Sequence, residues 1–153
     1  MAKVANPRKR FNWSLQISPD PINPFLFQKV TLPDSDIEET VHGDTNHDIK
    51  TAGRVMISKC VCEKLMVSDQ SDTYIRSWHD TCQSSRIGGG APPDIYKKVL
   101  YVTEFAEDGV TVLNTWVLYG VWPSTLSGME FDRQSSDNTI ENVEFSVDEM
   151  EKL

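Results

Sequence analysis

Several signals are absent from this sequence, and each absence narrows the reading. No stretch approaches the ~18 consecutive apolar residues of a membrane-spanning helix. The basic start, Lys3, Arg8, Lys9 and Arg10, is not followed by an apolar run, so it does not read as a signal peptide. Cysteine is scarce and odd in number: Cys60, Cys62 and Cys82 are expected as free thiols in a reducing compartment. Positive charge is also short, 15 basic residues against 23 acids, for a formal net charge of -8. Such a surface repels phosphate and disfavours a protein that grips duplex nucleic acid.

Catalytic and metal-binding patterns are missing as well. There is no G-x-S-x-G elbow, and Gly88-Gly89-Gly90 lacks both the Lys-Ser/Thr of a P-loop and dinucleotide spacing. It reads as a hinge. Asp44-Thr45-Asn46-His47-Asp48 opens like a calcium loop. Ile49 stands where the turn glycine belongs and Val55 where the bidentate glutamate belongs, so a plain polar loop is expected. His42, His47, His79 and the cysteines show no zinc spacing. Cys82, at helical spacing from His79, reads as core rather than as an activated nucleophile. No catalytic residue, cofactor or metal is expected.

What the sequence does contain is strand. Its 153 residues, 39% hydrophobic and 25% charged, suit one domain over 1–153. A basic N-terminal tail is set against an acidic C-terminal one. From Glu130 onward eight acids face only Arg133 and Lys152. Period-two alternation predicts strands at Phe11–Ile17, Phe25–Leu32, Ile37–Val41, Arg54–Val67, Tyr96–Phe105, Val110–Trp122 and Val143–Val147. Pro19, Pro21 and Pro24 end the first, Pro33 the second, and Pro123 is expected to end the sixth. His42 to Asp48 is expected as a polar loop. Asp108-Gly109 predicts a tight hairpin with both central residues at positive φ. Tyr74, Ile75, Trp78 and Cys82 fall at helical spacing, with Ser68, Ser71 or Asp72 as candidate caps.

Val112, Trp116, Leu118 and Trp122 lie on one face of the sixth strand. Leu113, Val117, Tyr119 and Val121 lie on the other, so both faces need cover. The fold class is therefore mainly β (α+β): a small sandwich or barrel with one flanking helix. Its unpaired edges and uncovered apolar area point to assembly with further copies.

Some segments have a familiar order. Phe25-Leu26-Phe27-Gln28-Lys29-Val30-Thr31-Leu32-Pro33 precedes an acidic strand. Then come His42-Gly43-Asp44, Ile49-Lys50-Thr51-Ala52-Gly53, Gly120-Val121-Trp122-Pro123, Ser127-Gly128 and Ile140-Glu141. Over residues 10 to 148 this order resembles the tail tube proteins of contractile-tailed bacteriophages. The resemblance implies a structural subunit, with no enzyme activity and no cofactor. Copies form hexameric rings whose inner strands join into one continuous barrel, and rings stack into a tube within a contractile sheath. It implies assembly in the host cytoplasm and a place in the virion. The implied partners are the chain itself, the sheath protein, and tape-measure and baseplate or terminator proteins. DNA passes through the lumen without specific binding.

The loop from Asp34 to Gly53 is implied as the contact between rings, which singles out Asp34, Asp36, His42, Asp44, Asn46, His47, Asp48 and Lys50. Strand alternation nominates Glu38, Glu39, Glu141 and Glu144 as acids facing the lumen. Export-system tubes share the resemblance. A monomeric binding module or small hydrolase is the alternative of another class.

Overall fold

The computed structural model describes residues 10–20, 24–67 and 73–153. The strand β1 (Trp13–Ser18) is followed by β2 (Phe27–Thr31), β3 (Ser35–Gly43), β4 (Asp48–Ile57) and β5 (Cys60–Leu65). The helix α1 (Tyr74–Cys82) and the single turn α2 (Pro93–Tyr96) come next. The chain finishes with β6 (Lys98–Phe105), β7 (Val112–Leu126), β8 (Ile140–Ser146) and β9 (Glu149–Lys152). The main sheet runs β1-β6-β7-β8-β5-β2, with β9 also on β7, and all its pairings are antiparallel. The strands β3 and β4 form a separate two-stranded arm.

The strand β7 joins the two halves of the main sheet. Its first part pairs with β6 on one side and β9 on the other; its last part, from Trp122, pairs with β8. Leu100 pairs with Leu118 but Lys98 with Val121, so β7 holds one residue more than β6 there. That residue is accommodated at Gly120, whose φ is +65°. The bulge resets the alternation, and Leu118 and Val121, three apart, both enter the core. This explains why neither predicted face of β7 survives along its length.

The core lies between the two halves and under α1. Leu15, Ile17, Leu100, Leu118, Val143 and Phe145 are fully or almost fully buried, and α1 contributes Ile75 and Trp78. Each large side chain of this kind stabilises the fold by about 1.5–3 kcal/mol. Trp78 stacks obliquely on Phe145 and donates its indole N–H to the Tyr96 carbonyl at 2.6 Å, tying α1 to α2. At the start of β6, Lys98 donates to the Tyr74 hydroxyl at 3.1 Å, and both residues donate to the Asp20 carboxylate. Burial alone would raise the Asp20 carboxyl; the hydrogen bonds from Lys98 and Tyr74 outweigh it and hold the group below its ordinary value.

Several expectations need correction. Pro123 does not end β7: it sits inside the strand, buried, opposite Phe145 and beside a register shift where the missing N–H is tolerated. Arg54 to Val67 is not one strand, because β4 stops at Ile57 and β5 starts at Cys60. In β5, Cys60, Cys62 and Lys64 point inward while Val61 is 40% exposed. Phe11 and Phe25, expected to open the first two strands, lie before β1 and β2 and are exposed. The Asp108-Gly109 hairpin forms, but only Gly109 has positive φ. The turn closes from the Gly109 N–H to the Ala106 carbonyl at 3.0 Å.

The glycine-rich segment is anchored rather than a bare hinge, with Ala91 N–H donating to Thr81 O and Ser84 N–H to Gly89 O, both at 2.9 Å. The acidic C-terminus is no solvated tail, since Glu149 and Glu151 lie in β9. Ser68, Ser71 and Asp72, named as caps, together with Pro21, Lys3, Arg8 and Lys9, lie outside the described residues. Thr73 occupies the cap position and makes no side-chain capping bond.

Candidate assembly surfaces

The arm is the most exposed element of the structure. Every residue of β3 and β4 is exposed except Ile57, which is half-buried. Residues 34 and 58 bind the arm at its root: Ser58 N–H donates to the Asp34 carbonyl at 3.0 Å, and Asp34 N–H donates to the Ser58 hydroxyl at 2.7 Å. The tip is a short turn, closed from Asp44 N–H to His47 O at 3.1 Å. The expected polar loop is therefore only the turn between two long strands.

Cross-strand register sorts the arm into two faces, because directly opposed residues share a face. Val41 opposes Lys50, Glu39 opposes Ala52, and Ile37 opposes Val55. That face carries an apolar stripe of Ile37, Val41, Ala52 and Val55, bordered by the Lys50–Glu39 ion pair at 3.8 Å. His42 with Ile49, Thr40 with Thr51 and Asp36 with Met56 form the other face. A register shift falls at Gly53, where an added Cβ would come within 2.8 Å of the Glu38 carbonyl. An isolated two-stranded ribbon is marginal in water, and this one is exposed on both faces among the described residues.

The residues nominated for ring contact fall together here. Asp34 stands at the root, Asp36 and His42 lie in β3, Asp44, Asn46 and His47 in the tip, and Asp48 and Lys50 in β4. The four nominated lumen acids do not fall together. Glu38 and Glu39 are on the arm and, being adjacent, on opposite faces of it. Glu141 and Glu144 both lie in β8, three residues apart, so the strand turns them to opposite faces. Glu141 points inward and is 2% exposed. It stands opposite Lys64, itself fully buried. It is not an acid of an open surface.

The outward face of the β7–β8–β5–β2 half is polar. It presents Lys29, Thr31, Glu63, Thr125, Asn142 and Glu144, with Val61 among them. Lys59 reaches Glu144 at 4.0 Å and the Thr125 hydroxyl at 3.5 Å. Two acids are thus matched by two lysines, and the face is charge-balanced rather than acidic. Glu63 was not singled out from sequence; its register with Asn142 identifies it. This half has two open edges among the described residues: the outer side of β2, and β7 from Trp122 to Leu126 on the side that β6 no longer occupies.

The edges of the other half are guarded. The β1 edge gives its Leu15 N–H to the Pro24 carbonyl at 3.1 Å, and β9 is a four-residue strand of Glu, Met, Glu and Lys.

Cys60 and Cys62 are buried on one face of β5 with sulfurs 3.8 Å apart, and all three cysteines are free thiols. The contact with Cys60 together with burial pushes the Cys62 thiol well up, and burial pushes Cys82 up, away from a reactive thiolate. No group of three His, Cys, Asp or Glu side chains suited to a metal occurs among the described residues.

The architecture is that of a tube-forming subunit: a sheet with open edges, a flanking helix and a long uncovered arm. Residues 9–151 match the family of the T4-like virus tail tube protein gp19, and the chain belongs to that family. This is a family of structural tail tube proteins. No curated protein sequence matches the chain.

Among solved structures, a chain in the anti-feeding prophage cap (the AFP tube terminating cap) superposes with a TM-score of 0.81 at 16% identity, covering 100% of this chain and 95% of that one. A chain of the PVC sheath–tube complex, an extracellular contractile injection system in its extended state, gives a TM-score of 0.74 at 17% identity and covers 98% and 93%. Hcp1 from Flavobacterium johnsoniae gives a TM-score of 0.55 at 10% identity, covering 92% and 93%. At these identities the likeness is one of fold.

Proposed function

We propose that the chain, as a single domain over 1–153, is the repeating subunit of a tail tube whose rings are hexameric, closed edge to edge, and stacked through the arm. The observation that carries this is the pair of open edges on one four-stranded half-sheet. Its strands alternate in direction from β7 through β8 and β5 to β2. The β2 of one copy can therefore meet Trp122–Leu126 of the next in antiparallel sense and continue the same sheet. The join is head-to-tail, and such a contact generates a ring when the rotation closes. Closure also removes the edges that would otherwise invite uncontrolled pairing.

The outward face of that half-sheet then becomes the lumen wall, with Glu63 and Glu144 as its acids and Lys29 and Lys59 as their counterweights. A wall with no excess of positive charge releases no counterions from a duplex and gives it nothing to adhere to, which suits DNA passage. The arm residues Asp34, Asp36, His42, Asp44, Asn46, His47, Asp48 and Lys50 reach a neighbouring ring, together with Glu38 and Glu39.

Sheath, tape-measure and baseplate or terminator proteins are the partners that this role requires. The site of action is the virion tail, after assembly in the host cytoplasm. No catalytic step and no cofactor belongs to it. A tube of a related contractile injection system is the second reading, favoured by the similarity in fold to the anti-feeding prophage and PVC chains. Particles that package and eject DNA separate the two.

Light scattering on the purified chain at rising concentration tests the assembly directly. The expected species has six times the 17.3 kDa chain mass, followed by longer stacks. A species fixed at 17.3 kDa at every concentration contradicts the reading.

A further inference from the structure

Each open edge of the half-sheet carries one residue more than the strand it pairs with. On β2, Phe27 stands opposite Lys64 and Lys29 opposite Glu63, so Gln28 is extra. On β7, Pro123 stands opposite Phe145 and Thr125 opposite Glu144, so Ser124 is extra. Such bulges break the local alternation and pin a strand's register.

Three hydrogen bonds fix which backbone groups face the open edges. In an antiparallel ladder, alternate residues turn both N–H and C=O to the same neighbour. Ser127 N–H donates to Asn142 O at 3.1 Å, so Asn142, Glu144 and Ser146 face β7. Met66 N–H donates to Thr139 O at 3.0 Å, so Val143 and Phe145 face β5. Pro123, opposite Phe145, therefore turns its backbone to the open edge, where its missing N–H costs no bond within the chain. Past the bulge, Leu126, opposite Val143, faces the same way. Leu65 N–H donates to Leu26 O at 2.9 Å, so Leu65, Glu63 and Val61 face β2, while Lys64 and Cys62 face β8. Phe27 and Val30, opposite Lys64 and Cys62, thus face the other open edge.

The two edges match. Phe27 and Val30 on one, Pro123 and Leu126 on the other, are separated alike in sequence, with a bulge between them. We propose that β2 of one copy joins β7 of the next with bulge against bulge, Phe27 opposite Leu126 and Val30 opposite Pro123. This rests on the tube reading and supplies the register of its joint. No other offset of the two strands opposes both pairs. Phe27 and Leu126 exchange a pair of hydrogen bonds, and Val30 N–H donates to the Pro123 carbonyl.

Pro123 determines specificity in this joint. A β7 edge laid on a second β7 edge would set Pro123 against Leu126 at both ends and lose a bond at each, whereas β2 against β7 loses a single bond. The head-to-tail joint is favoured over the symmetric pair, which would close as a dimer and leave no ring.

Cysteine pairs read the register. Gln28 and Thr125 are exposed, and bulge against bulge places them opposite each other in neighbouring copies, ~5 Å apart at Cα and within disulfide reach. The full chain with Gln28→Cys and Thr125→Cys, assembled and mildly oxidised, is expected to give a ladder of covalent multimers on a non-reducing denaturing gel. The unaltered chain, with its three free thiols, sets the background. Gln28→Cys with Ser127→Cys mimics a slip along the strand, with Cα atoms ~8 Å apart, and is expected to crosslink at least about tenfold less. If tubes form and the offset pair crosslinks as well or better, or neither pair crosslinks, the register is overturned and the tube reading stands. If the chain never assembles, both are overturned. As a second measurement, Pro123→Ala returns an N–H to the edge. It is expected to raise the share of symmetric dimers, trapped through Thr125→Cys alone, about tenfold. An unchanged share contradicts the role of Pro123.

Discussion

A methyl group placed on Gly120 would lie 2.1 Å from the Asp148 carboxylate oxygen. Asp148 closes over the bulge from between β8 and β9, its N–H donating to Tyr119 O at 3.0 Å and its carboxylate bound by Lys97 at 2.7 Å. The glycine is required twice, for its positive φ and for the approach of this side chain. Gly120→Ala is expected to destabilise the fold by about 2–4 kcal/mol through backbone strain and overpacking together. Adding Asp148→Ala removes the carboxylate clash but leaves the Asp148 Cβ at 2.8 Å and the backbone strain, so it is expected to recover only part of the loss. Urea midpoints of the two variants check this; equal midpoints for Gly120→Ala and the wild-type chain refute it.

Lys64 and Glu141 face each other across β5 and β8 inside the core. Directly opposed residues share a face, so a change in either alters the buried setting of the other. Lys64→Met or Glu141→Leu alone is expected to cost about 3–5 kcal/mol, and the double variant much less than the sum. A double-mutant cycle by denaturant unfolding measures the coupling. Additive losses would show that the two side chains are independent.

The Asp108 carboxylate caps the hairpin between β6 and β7. It accepts from the Thr111 hydroxyl and from the N–H groups of Thr111 and Val110, which together hold it down from 3.8 to about 2. A folded-state value below the unfolded one gives stability that is complete above pH 3.8 and lost as pH falls through about 2. Carboxyl NMR should show Asp108 titrating near pH 2, with the turn loosening in the same interval. A midpoint near 3.8 contradicts the capping role.

The arm should gain order from its neighbours. Hydrogen exchange over residues 35–57 is expected to be fast in the free subunit and strongly slowed in the tube. Asp44→Lys with Asp48→Lys, both exposed, should leave the unfolding transition unchanged and impair polymerisation. Normal tubes from this variant would remove the arm from stacking.

The alternation of Leu15 and Ile17, and of Val143, Phe145 and Val147, was legible because those strands are regular and buried on one face. The helix was legible in Ile75 and Trp78 for the same reason. What misled the reading was irregularity. Gly120 inserts a residue and swaps the faces of β7, and Pro123 fits inside a strand because a register shift absorbs it. Cys60, Cys62 and Lys64 look less like a core face than Val61 and Leu65, yet the sheet turns them inward.

The arm strands were partly hidden, because β3 and β4 are exposed and so lack the clean alternation that a half-buried strand shows. Segment order nominated the arm as a contact region. Only cross-strand register revealed its apolar stripe, separated Glu141 from Glu144 and brought Glu63 forward.

The account depends on which edges join. A cryo-EM map of the assembled chain, at a resolution that separates strands, is the most direct measurement. It should show β2 of each copy hydrogen-bonded antiparallel to residues 122–126 of the next in a closed six-membered ring. A ring closed through β1 or β9, or a protein that stays a single folded copy in every condition that concentrates it, would contradict the account.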